Sequence, residues 1–222
     1  MPPPARITRF ERRRPSGWPT VMHVVRLYRD ELLIHSPTWI DDATFDEIAK
    51  LGTPRMLFAP NHFHHLSLAR YRERFPKAIV VASADAIPRL HAKGHEDIRS
   101  TFEVSLPPDI RWLLPSGTKS GEAWISVDGE AGPTWIVGDA FFNEHSPVTG
   151  FEGSLLKMLS ITPGTRLGAT FKYLCVRDRK KYKQWTLEAL EREKPSRMLM
   201  CHGDALNEHV APRLSELLHS RL

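Results

Sequence analysis

Cysteine is nearly absent. Of 222 residues only Cys175 and Cys201 carry a thiol, and they form no C-x-x-C pair. Two distant thiols build no disulfide framework, so a reducing cytoplasm is the expected compartment. Long apolar runs are missing as well. None reaches the ~18 residues that a membrane span needs, so no membrane partner is expected. Net charge is scarce outside the first residues. The formal excess is +5, and residues 1–14 set Arg6, Arg9, Arg12, Arg13 and Arg14 against Glu11 alone. That leader holds four of the five excess charges. The near-neutral remainder lacks the basic face that nucleic acid would require, and its tryptophans are not interleaved with basic residues, so no nucleic-acid partner is expected either.

What is present is a globular composition. Hydrophobic residues make up 41% and charged residues 26%, enough apolar material for one sizeable core. The Pro- and Arg-rich start has no apolar secretory segment and reads as a solvated arm. The expected division is a flexible basic leader over residues 1–17 and a single domain over residues 18–222. Oligomeric state is not legible.

Hydrophobic patterning orders the elements. Val21–Leu27 and Glu31–His35 read as strands joined by a tight turn. Asp42 or Thr44 can cap a helix with Phe45, Ile48 and Leu51 at helical spacing. Arg55–Ala59 and Ala78–Ala82 are short apolar runs suited to buried strands, with a helix over residues 66–75 between them. Strands are predicted at Phe102–Leu106, Arg111–Leu114, Ala123–Val127, Thr134–Val137 and Met198–Cys201. Helices are predicted near Gly153–Leu159, Arg179–Glu193 and Asn207–Leu222. Helices set between strand groups favour layered sheets with helices outside. Trp112, Trp124, Trp135 and Phe141 are assigned to the core or a pocket wall.

Histidine is the positive outlier. There are eleven, and His62, His64 and His65 fall within four residues directly after the strand RMLFA. Two further polar turns follow apolar strands: Gly138-Asp139 after TWIV, and His202-Gly203-Asp204 after RMLMC. Imidazole and carboxylate on strand-end loops suit zinc, iron or manganese. Each residue also has a plainer use. Asp139 can serve its own turn, and Asp204 can cap the last helix or orient His202 from behind. His145 is read as an exposed loop histidine, and His35 ends the second strand.

The hairpin, capped helix, buried strand and histidine cluster together resemble the opening of the metallo-β-lactamase superfamily. That family carries His-x-His-x-Asp-His after such a strand. In the preferred register His62 and His65 match two of its histidines, His64 stands at the Asp, and Pro60 replaces the first His. Gly138-Asp139 resembles the family's Gly-Asp turn and His202-Gly203 its closing ligand turn. Ser116 or Thr118 stands where another His is expected. The resemblance implies an α+β fold, a four-layer αβ/βα sandwich. It also implies a metal set drawn from His62, His64, His65, Asp139 and His202. The implied activity is a metal-dependent hydrolase, zinc being the first choice. Its metal-bound hydroxide would attack an ester, thioester, lactone, amide or phosphodiester in a small-molecule substrate. The losses at Pro60 and Ser116 keep a second reading open: a metal-free binding protein on the same fold.

Overall fold

Alternating burial sorts the strands into two sheets with a common interior. In the computed structural model, which describes residues 5–119, 121–145, 154 and 164–222, the first sheet has six strands. They are β1 (Ile7–Arg13), β2 (Pro19–Arg26), β3 (Glu31–His35), β4 (Thr53–Ala59), β5 (Ile79–Ala82) and β6 (Ile98–Ser100), in that spatial order. Strands β1 to β3 are antiparallel. From β3 to β6 the pairing is parallel. Parallel neighbours need a crossover. Helices α1 (Asp42–Leu51), α2 (Leu68–Arg74) and α3 (Ile87–His91) supply them in turn.

The second sheet orders β7 (Ile110–Leu113), β8 (Trp124–Val127), β9 (Thr134–Ile136) and β12 (Arg197–Leu199) as β12-β9-β8-β7. A separate antiparallel pair joins β10 (Phe141–Glu144) to β11 (Gly164–Leu167). Helices α4 (Arg179–Glu193) and α5 (Val210–Arg221) belong to the C-terminal part of the chain.

The two-residue strand period decides the layers. On β4, Phe58 faces the second sheet and packs with Leu33, Val81, Ile125 and Ile136. Its neighbours Leu57 and Ala59 face α1 and α2, where Phe45, Ile48 and Tyr71 are buried. On β8 and β9, Ile125 and Ile136 point inward, whereas Trp124 and Trp135 point to α4 and α5 and pack with Tyr182, Leu190 and Leu214. The order is therefore helix, sheet, sheet, helix. Each fully buried aliphatic or aromatic side chain contributes about 1.5–3 kcal/mol. Trp124, Trp135 and Phe141 are core residues as expected, and Trp112 packs at a tilt against Phe58 with ring centroids 4.7 Å apart.

Several expectations need correction. The leader is not a flexible arm in its middle: residues 7–13 form β1, registered on β2 from Ile7↔Val25 to Arg13↔Pro19. Two apolar side chains and a set of ion pairs hold it there. Ile7 and Phe10 pack against the cores on either face. Arg6 pairs with Asp109 at 2.6 Å, Arg13 with Glu144 at 3.1 Å, and Arg9 with Glu11. Charged side chains suit an edge strand. The cap of α1 is Asp41, whose carboxylate accepts from Thr44 N at 2.8 Å, rather than Asp42 or Thr44. Phe102–Leu106 is not a strand. Ser100 and Glu103 form a capping box that starts a 3-10 turn at Thr101–Glu103. The helix expected at Gly153–Leu159 lies, apart from Ser154, outside the described residues.

Candidate metal centre

Three strand ends converge. The turn after β4 brings His64, the turn after β9 brings Asp139, and the turn after β12 brings His202. His64 Nε2 lies 3.0 Å and His202 Nε2 3.2 Å from the same Asp139 oxygen, Oδ1. One donor atom from each of the three lies within 4.8 Å of the others. All three side chains are at most 16% exposed.

Each donor is held from behind. The His64 Nδ1 faces Ser36 Oγ at 2.7 Å. Ser36 has φ 57°, a left-handed conformation uncommon outside glycine, and so turns the chain sharply just after β3. The His202 Nδ1 donates to the Pro19 carbonyl oxygen at 2.9 Å. A carbonyl only accepts, so Nδ1 carries the proton and Nε2 presents its other valence to Asp139. Two acceptors facing each other at 3.2 Å need a proton or a cation between them. The His202 ring also packs against Trp18 and edge-on to Phe142, at 5.3 and 5.2 Å between centroids. Gly203, at φ +92°, follows it because a side chain there would strike the backbone of Asn143.

Asp139 is tied on its other oxygen as well. Asn61 Nδ2 donates to Asp139 Oδ2 at 3.1 Å and to Glu122 Oε2 at 2.8 Å, while Asn61 Oδ1 accepts from Phe63 N at 2.8 Å. One side chain thus shapes the histidine turn and fixes the carboxylate. Glu122, 2% exposed, also accepts from Trp124 Nε1 and Ala140 N. Burial and then the charge of Asp139 push the Glu122 carboxyl up to about 8, against these three donors. Burial alone would raise Asp139 too, but His64 and His202 outweigh it and hold the group well below the usual carboxylate range. Gly138 is required between them. A Cβ there would lie 2.7 Å from Glu122 Oε1 and 3.1 Å from Pro60 Cβ.

Not every predicted residue reaches the cluster. His65 turns away: its Nδ1 faces His95 Nε2 and its Nε2 faces Lys93 Nζ, both at 3.1 Å. Burial, then Lys93, lowers it to about 4. His62 is 6% exposed, lies against Phe63 at 3.9 Å between ring centroids, and leaves Nδ1 without a hydrogen-bond partner among the described residues. His64 N donates to the Asn61 carbonyl oxygen at 3.3 Å, closing a turn from which His64 meets Asp139 and its neighbour His65 meets His95. Asp204 does not orient His202, which the Pro19 carbonyl does. Its carboxylate is exposed, 4.0 Å from Arg9, and α5 starts later, after His209. Asp204 is therefore neither cap nor support. His35 is fully buried with Nδ1 toward Cys201 Sγ at 3.8 Å, and His145 is exposed. Ser116 lines a separate cavity of about 190 Å³ with Ser83, Thr118 and Glu122. Sequence patterning missed Ser36, Trp18, Pro19 and Glu122. Only Glu122 left a trace, as an acid opening the apolar strand AWISV.

Two ligand atoms ~2.0 Å from a tetrahedral ion sit roughly 3.3 Å apart. The observed 3.0 and 3.2 Å fall within a few tenths of that. Imidazole nitrogens anchored from behind by a hydroxyl and a carbonyl are the usual support of metal-binding histidines. The donor set thus fits one divalent ion. It opens onto a cavity of about 500 Å³ that also contains Ser36, Trp39 and Phe63.

The architecture is that of the metallo-β-lactamase superfamily: the chain has that fold, over almost its whole length. A metallo-β-lactamase from Pontibacter korlensis matches 97% of this chain and 94% of its own, with a TM-score of 0.65 at 11% identity. The FIM-1 metallo-β-lactamase from Pseudomonas aeruginosa, in a mono-zinc form, matches over 96% and 90%, with a TM-score of 0.62 at 12% identity. The Flv1 flavodiiron core from Synechocystis sp. PCC6803 matches over 97% of this chain and 58% of that one, with a TM-score of 0.64 at 12% identity. No protein-family model matches the sequence, and no curated protein matches it. Among the described residues no helix is long and apolar enough to cross a membrane.

Proposed function

We propose that the protein is a metal-dependent hydrolase with a single divalent ion held by His64, Asp139 and His202. The observation that carries this reading is the convergence of these three donors, each braced from behind, at the head of a cavity. Neighbours of the same fold include a mono-zinc lactamase and a flavodiiron core, which supports zinc or iron as the ion. Two histidines and one carboxylate suit either metal.

A bound divalent ion supplies Lewis acidity and lowers the pKa of water toward ~7. The chain supplies the rest. Ser36 and the Pro19 carbonyl fix the two imidazole planes, so their Nε2 atoms need no reorientation. Asn61 holds Asp139 through its second oxygen. Trp18 and Phe142 cover one side of His202 and limit water there. Pro60 offers no ligand where the family has one, and Ser116 lies in another cavity, which supports one ion rather than two. The scissile group is an ester, thioester, lactone, amide or phosphodiester of a small molecule.

The test is metal analysis of the purified protein after reconstitution with zinc, iron or manganese, with hydrolysis assayed on a panel of those bond types. About one ion per chain is expected, falling to near zero in His64→Ala, Asp139→Ala and His202→Ala. Retention of the ion by all three variants, or no ion in the wild type, overturns the assignment. One observation favours the second reading, a metal-free binding protein: Asp139 already has two histidines and Asn61 around it. That reading gains if no divalent metal raises the melting temperature.

A further inference from the structure

The leader strand carries a charge pattern that its own packing does not consume. Arg6, Arg9 and Arg13 are each matched by a carboxylate, as described above. Arg12 is not: no carboxylate among the described residues pairs with it. Its guanidinium lies 4.0 Å from the centroid of the Trp39 ring instead. Arg12, near the end of β1, and Arg14, just beyond it, both line the cavity that ends at Asp139 and His202. The one carboxylate of that lining, Asp139, is already faced by His64 and His202. Among the described residues of the cavity wall, Arg12 is therefore a cation with no carboxylate paired to it.

The rim is also apolar. Trp39 is 50% exposed, Phe63 38% and Leu66 82%, and all three line this cavity. Exposed large apolar side chains gathered at one opening mark a binding surface rather than scattered surface residues. Trp39 is held in place, since Arg70 lies 5.2 Å from its ring while pairing with Asp42 at 2.9 Å. A guanidinium stacked on an indole keeps its N–H edge free for a carboxylate or phosphate oxygen.

We propose that the cavity takes a small molecule bearing an anionic group, carboxylate or phosphate, beside an apolar body, with Arg12 binding the anion and Trp39, Phe63 and Leu66 receiving the apolar part. This deepens the hydrolase reading and rests on it for the fate of the ligand, though not for its recognition. The anion is neutralised by a residue of the N-terminal strand, so that strand is part of the substrate site.

The experiment measures binding of three probes to the full chain treated with chelator: 2-naphthoate, 2-naphthyl phosphate and the neutral 2-naphthamide. At least one anionic probe binds roughly tenfold tighter than the amide at low salt, as a charge-assisted contact requires. The better of the two anions names the group. Arg12→Gln, an exposed position that leaves folding intact, brings the anions within about twofold of the amide, and Arg12→Lys recovers part of the gap. Trp39→Ala weakens all three probes. Equal binding of the three by the wild type, an undiminished preference in Arg12→Gln, or no binding of any probe overturns the proposal. Because the probes are read without metal, lack of turnover in the reconstituted protein with this preference intact counts against the hydrolase reading alone.

Discussion

Replacing Glu122 by Gln will flatten the dependence of stability on pH between pH 5 and 8. Glu122 is buried beside Asp139 and its carboxyl is pushed from 4.5 up to about 8. Over that window the folded chain holds a proton that the unfolded chain releases. Stability from this group is therefore full below 4.5 and is lost as pH rises through about 8. The slope is ~1.4 kcal/mol per pH unit, so the whole window amounts to roughly 5 kcal/mol. That is comparable with the ~5–15 kcal/mol total of a typical domain. Asp139, held low, acts in the opposite direction and only in acid, where its stabilisation is lost as pH falls. The assay is urea unfolding of the chelator-treated protein at pH 5, 6, 7 and 8. Wild type should lose stability steadily across the series. In Glu122→Gln the loss should largely vanish. The variant also pays a fixed cost of about 1–3 kcal/mol at every pH, because the Gln amide must face one of the donors Asn61, Trp124 or Ala140. Parallel slopes in the two proteins would refute the reasoning, since they would place the titration elsewhere.

Other outcomes follow from the same geometry. Ser36→Ala removes the hydroxyl 2.7 Å from His64 Nδ1 and should weaken metal affinity roughly 10–100-fold in a chelator competition, with little loss of fold. Gly138→Ala drives a methyl against Glu122 and Pro60 and should lower stability by about 1–3 kcal/mol in thermal unfolding while loosening the metal. Phe45→Ala, on the buried face of α1 and outside the cavity lining, should cost about 3–5 kcal/mol by denaturant titration and leave metal stoichiometry unchanged. Zinc at ~100 times its dissociation constant should add about 2.7 kcal/mol of stability, seen as a raised melting temperature that Asp139→Ala abolishes.

Much of the scaffold was legible because short apolar strands and amphipathic helices write their burial into the sequence. RMLFA and TWIV bury alternate faces whatever they pack on, and Val210, Leu214, Leu217 and Leu218 on α5 share one buried face. The three turns that bring His64, Asp139 and His202 together were visible for the same reason, each a polar break after an apolar run. The leader was misread because composition reports charge but not its partners. Asp109 and Glu144, which hold β1 down, lie about a hundred residues away or more.

What the sequence indicated by itself was most of the element order from β2 onward, layered sheets with helices outside, and three polar strand-end turns holding five candidate donors, since each follows from local periodicity or a local turn. Only the tertiary structure decided which histidines converge. His64 and His65 are adjacent in the chain, yet one meets Asp139 and the other His95, because Asn61 pins the turn to Glu122 and Asp139. It also decided that backbone and hydroxyl groups from the β1–β2 and β3 ends, Pro19 and Ser36, orient His202 and His64. Such contacts link residues with no local pattern in common, and only packing two sheets face to face brings them within hydrogen-bond reach.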